Sequence, residues 1–174
     1  MSNPSENRAE GDIRVAPSFE EWYEAFYPRL ARTMTVMFSS VDVGREIADE
    51  AMAKAFGRWQ KGDPPHSPDG WTMTVAVNEG RRRWRRRQRE SRRFAETARN
   101  AKVMAELDEP DLDLWRAVGN LPPRSREAIV LRYVADLTEA DVAEAMGVKE
   151  GSASALLHKA RAALRRALDE ETDQ

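Results

Sequence analysis

Ten arginines fall between Arg81 and Arg99, most of them inside the run NEGRRRWRRRQRESRR that starts at Asn78, in a chain of net charge -2. A guanidinium is a permanently charged planar fork that pairs with phosphate through parallel hydrogen bonds. An α-helix turns about 100° per residue. Arg81, Arg82, Arg83, Arg85, Arg86 and Arg87 would therefore encircle a helix, with only Trp84 interrupting the charge. A membrane-surface helix needs a continuous apolar face, which this run lacks. A nucleic-acid backbone, bound with steep salt dependence, fits best. The alternative is a solvated helix pairing with acidic stretches elsewhere in the chain.

The other reactive side chains are sparse. Glu46, Asp49 and Glu50 cluster, but the only histidines are His66 and His158 and there is no cysteine. That excludes disulfides and thiolate metal sites, so no metal and no cofactor are expected, and a reducing compartment such as the cytoplasm fits. There is no phosphate-cradling glycine loop and no nucleophile paired with a base, so the chain does not read as an enzyme. Trp22, Trp59 and Trp115 suit a core. Trp71, placed after a loop and ahead of the arginines, is the better candidate to stack on an exposed base.

The charge is segregated. Residues 1–78 hold 8 basic and 12 acidic side chains, residues 79–99 hold 10 and 3, and residues 100–174 hold 10 and 15. One cationic surface on an otherwise acidic body suits an anionic polymer, and the acidic remainder would discourage binding to arbitrary DNA. No apolar run approaches the roughly 20 residues that span a bilayer, so no membrane insertion is expected.

The elements that must position these groups are helical. Residues 1–17 are polar and read as a disordered tail. Ser18 and Glu21 form a capping box ahead of Phe19, Trp22, Phe26, Leu30 and Met34 at helical spacing. Ile47, Ala51, Ala55 and Trp59 line a second helix, leaving Glu46, Asp49, Glu50 and Arg58 to solvent. QKGDPPHSPDG, residues 60–70, cannot continue a helix and reads as a loop. A long helix is expected from Trp71 through the arginines, completing a first domain over 18–98. An acidic linker follows over 99–111. The second domain, 112–172, reads as four helices, one starting at Pro122–Pro123, one capped by Thr138 and ended by Gly147, and the last running from near Lys149 to about Leu168. The fold class is all-α, in two small helical domains.

Within TEADVAEAMGVKEGSASALLHKA, Ala143 sits where two helices would meet closely. Gly147 makes the turn, Val148 plugs it, and Ala153 and Leu157 face inward. A helix so held, with a polar outer face, is how a helix-turn-helix offers itself to the major groove. On spacing alone an ordinary αα-hairpin fits equally well. The packing helix in LPPRSREAIVLRYV favours the DNA reading.

Taken together, PDGWTMTVAVN, LPPRSREAIVLRYVADLTEADVAEAMGVKEG and LLHKARAAL, in this order, resemble a bacterial RNA polymerase sigma factor of the extracytoplasmic-function (ECF) group in its two-domain form. The likeness covers about residues 18–168. It implies a non-catalytic subunit that binds the clamp helices of the polymerase largest subunit through Glu46, Asp49, Glu50 and Arg58. It further implies −10 element contacts from Trp71, Thr74, Asn78, Arg81, Arg82, Arg85 and Arg86. For the −35 element it implies Lys149, Ser152, Ser154, His158, Lys159 and Arg161, with the second domain docked on the polymerase flap. An anti-sigma partner is compatible with it.

The chain departs from the family pattern at Arg45, Asp49 and Met52 in the clamp-binding helix, and at Ser154 and Leu156, where lysine and arginine are common. Without those two cations, each worth about 1–3 kcal/mol if bidentate to a base, weak −35 recognition is expected. Ser154→Lys with Leu156→Arg should strengthen it. Two other readings remain at this point. One is a sigma-like DNA-binding regulator with weakened polymerase contact. The other is a helical adaptor for RNA or an acidic protein.

Overall fold

The computed structural model describes residues 18–90 and 112–172, which are helical with short connections and contain no strand. The tail 1–17 and the expected linker 99–111 lie outside the described residues. Seven helices are seen: α1 Phe19–Phe38, α2 Val41–Trp59, α3 Pro68–Glu90, α4 Leu112–Asn120, α5 Pro123–Tyr133, α6 Glu139–Met146 and α7 Glu150–Thr172.

The expected caps form. The Ser18 hydroxyl accepts from Glu21 N–H while the Glu21 carboxylate accepts from Ser18 N–H. Thr138 and Asp141 repeat the arrangement at α6. Such a cap satisfies N–H groups that the first helical turn leaves open, and is worth about 1 kcal/mol. Gly147 ends α6 at φ 63°, a left-handed conformation in which a side chain would be strained. Two boundaries differ from expectation, and one is that α7 runs on to Thr172 instead of ending near Leu168. α3 begins at Pro68, not Trp71, because proline suits the first turn of a helix, where its missing N–H costs no bond. The Trp71 N–H already donates to the Ser67 carbonyl at 2.9 Å.

α1 and α2 pack as an antiparallel pair and α3 lies across both, while α5, α6 and α7 form the second group with α4 against α7 and α5. Leu30, Met34, Ile47 and Met73 fill the first core, and Leu131, Val142, Met146 and Leu157 the second. Burying such a side chain contributes about 1.5–3 kcal/mol. The two groups also meet: α3 packs on α6, and α1 on α5.

Candidate nucleic-acid interface

Helix α3 is anchored at its first turn. The Asp69 carboxylate accepts from Trp22 Nε1 at 2.7 Å and from the Arg29 guanidinium at 2.5 Å, tying α3 to α1. Thr72, Met73, Ala76 and Val77 face the core, and Glu79 and Gly80 are buried as well, while Asn78 is presented outward. Gly80 permits the closest approach. A Cβ there would run into the Phe38 ring, so only glycine lets the end of α1 sit against α3.

The candidate −10 residues follow along this helix. Trp71 is half-buried, and the Arg58 guanidinium lies 5.4 Å from its ring centroid. Arg58 is itself held by Asp63, through the carbonyl at 3.0 Å and through the carboxylate. Thr74 is half-buried and donates to the Gly70 carbonyl at 2.9 Å, whereas Asn78 is exposed.

The described arginines, Arg81 to Arg86, point to different sides of α3 and so divide into three sets. Arg82 and Arg83 turn toward acids. Both donate to the buried Glu79 carboxylate, at 2.8 and 3.1 Å, and Arg83 also reaches Glu46 and Glu50 at 2.7 Å each. Burial raises the Glu79 carboxyl, but the hydrogen bonds from Arg82 and Arg83 outweigh it and hold it at about 2. Arg81 turns instead toward the second group of helices, where it pairs with Glu127 and donates to the Met146 carbonyl at 3.0 Å. Arg85 and Arg86 are exposed and make no ion pair among the described residues.

The α2 acids are therefore less free than their helical spacing predicted. Glu46 is exposed but bound to Arg83. Glu50 is half-buried between Lys54 at 3.0 Å and Arg83, and these two hydrogen bonds lower its pKa. Asp49 is exposed and accepts from the Tyr27 hydroxyl at 2.6 Å. Burial and this bond push the tyrosine up to about 12. Arg58, also expected in solvent, is half-buried beside Trp71.

On the second group, Ala153, Leu157 and Ala160 bury one face of α7. Ser152, Ser154, His158 and Lys159 are exposed on the remainder, with Lys149 exposed just before the helix. Arg161 is tied back, donating to the Tyr133 hydroxyl at 2.8 Å and to Glu139 at 3.3 Å. Leu156 is half-buried against the core, so an arginine there would lose packing as well as add charge.

The acids that fix the arginines, Glu79 and Glu127, are not among the residues expected at the site. Glu79 lies three and four residues before Arg82 and Arg83, the spacing of helical ion pairs, and that signal could have found it. Nothing local marks Glu127 as a partner for Arg81, 46 residues away.

The family model described as "Sigma-70 region 2" matches residues 22–90, and "Sigma-70, region 4" matches residues 111–164. An RNA polymerase sigma-E factor of Streptomyces antibioticus is 27% identical over 164 residues, covering 92% of this chain and 88% of its own. Its counterpart in Streptomyces coelicolor is 25% identical over 151 residues, covering 86% and 85%. Among solved structures, the sigma factor RpoE in complex with the anti-sigma factor NepR, from Bartonella quintana, has the same fold. Its TM-score is 0.68 at 19% identity, over 87% of this chain and 96% of that one.

Proposed function

The chain belongs to the sigma-70 family, in the two-domain form of the ECF group, and from that premise we propose how its residues divide the work. It is a promoter-recognising sigma factor that directs core RNA polymerase to start transcription. Its contribution is binding, with the chemistry of RNA synthesis left to the core enzyme, and its workplace is the cytoplasm where that enzyme acts.

Residues 18–98 form the part that meets core polymerase and the −10 element, and 112–172 the part that meets the −35 element. Asn78, Arg85 and Arg86 grip the displaced strand, with Thr74 beside them and Trp71 at the mouth of the loop that receives an unstacked base. Arg81 and Arg82 join them once released from their acidic partners. The outer face of α2, with Glu46, Asp49, Glu50 and Arg58, docks on the polymerase clamp helices. Lys149, Ser152, Ser154, His158, Lys159 and Arg161 border the major groove at −35, and the same domain contacts the flap. The −10 grip rests above all on one observation: Arg85 and Arg86 are exposed on the same helix as Asn78, in the half of α3 remote from the loop. An anti-sigma partner belongs to the proposal too, since the fold is shared with a sigma factor solved in such a complex.

Reconstitution with core polymerase tests the reading. Run-off transcription of genomic fragments should give transcripts with defined starts only when the chain is present. DNA binding with neither polymerase capture nor any defined start would favour the regulator reading instead.

A further inference from the structure

Trp22, Trp59, Trp71 and Trp115 all pack on the cores, as a large apolar ring favours. Trp84 is placed differently. It is half-buried on α3 at the border of a crevice of about 390 Å³, whose other walls come from the end of α1 and the start of α5. Small-molecule sites occupy roughly 300–1,000 Å³, so the crevice has room for one small ligand. Phe38 supplies a second ring. It sits against Gly80, and Gly80 and Trp84 are four residues apart, on one face of α3.

The polar part of the lining is cationic. Four arginines border the crevice against one carboxylate, Glu127. Arg126 donates to the Gly119 carbonyl, and Arg81 is held by Glu127 and the Met146 carbonyl. Arg124 shares those two acceptors at 2.9 and 3.4 Å, and its side chain is still 45% exposed. Two guanidinium groups on one carboxylate leave a positive charge over. Arg85 is exposed and adds another, with no ion pair among the described residues. We propose that the crevice is a binding site for a free nucleoside monophosphate, its base against the Trp84 and Phe38 rings and its phosphate on Arg85 and Arg124. Both parts of the ligand are called for. A bare anion would leave the aromatic walls unused, and an uncharged ring would leave the excess cations without a partner. A nucleotide within a DNA strand has the same chemistry, but three helices bound the crevice and its volume suits a single free one. The proposal goes beyond promoter binding and does not depend on it.

Equilibrium dialysis of the full chain against AMP, adenosine and inorganic phosphate tests the site. AMP should saturate one site per chain, and adenosine and phosphate should each bind about tenfold more weakly, since each keeps half of the recognition. W84L and R124Q should each weaken AMP about tenfold, while W84F, which keeps a ring, should stay closer to wild type. R124Q leaves Glu127 paired with Arg81, so it keeps the proposal testable should W84L fail to fold. AMP should also raise the thermal midpoint of the wild-type chain, because its walls come from both groups of helices, and the rise should shrink in R124Q. Absence of saturable AMP binding would overturn the proposal. So would AMP binding that neither W84L nor R124Q changes, which would place the ligand elsewhere, or phosphate binding as tight as AMP, which would leave the rings without a role. A single-stranded oligonucleotide that needs Trp84 and Arg124 when AMP does not bind would overturn it too, by assigning the crevice to the DNA strand.

Discussion

Helix α3 carries six arginines between Arg81 and Arg87, yet three of the first four charges met along that run are already bound to the protein's own acids. The outer face of α7 is the opposite case. It offers serines, one histidine and Lys159, all exposed, while its Arg161 is folded back on Tyr133 and Glu139. In α3 most of the described cations at the start of the run are committed; among the candidate groove residues of α7 the cations are few, Arg161 tied back and Lys159 exposed. Local charge density therefore says little about binding strength, which depends on the cations a surface can release to phosphate. By that measure α3 still leads, through Arg85 and Arg86, with Arg81 in reserve.

The contrast can be broken most severely at Glu79. Glu79→Ala removes the carboxylate shared by Arg82, Arg83 and Lys54, and although Arg83 keeps Glu46 and Glu50 and Lys54 keeps Glu50, the tie between α3 and α2 is weakened. Urea unfolding should show a midpoint well below wild type; an unchanged midpoint would mean that the acids do not organise α3. The same carboxylate has an acid signature. Its pKa is lowered from 4.5 to about 2, so the stability it adds is fully present above 4.5 and is lost as pH falls toward 2. Wild-type protein should therefore lose more stability than Glu79→Gln between pH 6 and pH 3, measured by the same unfolding curves.

Next in size is the free pair. Arg85→Ala with Arg86→Ala should weaken −10 strand binding by the holoenzyme about tenfold at moderate salt. The salt slope should fall by roughly 1.4, about 0.7 for each single-strand phosphate that is no longer neutralised. A slope equal to wild type would remove both residues from the strand. The smallest effect belongs to α7. Ser154→Lys restores a cation to an exposed position and should strengthen −35 binding by about 1 kcal/mol, read by gel shift. Ser154→Lys is a cleaner test than the pair with Leu156→Arg, because Leu156 contributes packing.

The helices themselves were legible because their signals are local. Ser18 with Glu21, Thr138, Gly147 and the Pro122–Pro123 pair each mark a boundary through a bond or a φ value set within four residues. The start of α3 lies three residues ahead of the expected one because proline can open a helix as readily as it breaks one. The order of the two sigma-70 regions was legible for the same reason, since each motif is a continuous stretch. The commitments of the arginines were not. Arg83 meets Glu46 and Glu50 across more than thirty residues, and Arg81 meets Glu127 only because the two groups of helices come together, with α3 on α6. A periodicity places a side chain on a face of its own helix and is silent about which face of another helix arrives opposite it.

The central claim is that promoter choice runs through polymerase and leans on α3 more than on α7. Transcription by the reconstituted holoenzyme tests it most directly, on a promoter found by run-off and then scrambled at one element at a time. The account predicts that scrambling the −10 element abolishes the transcript while scrambling the −35 element lowers it by a smaller factor. An equal or greater loss from the −35 change would contradict it.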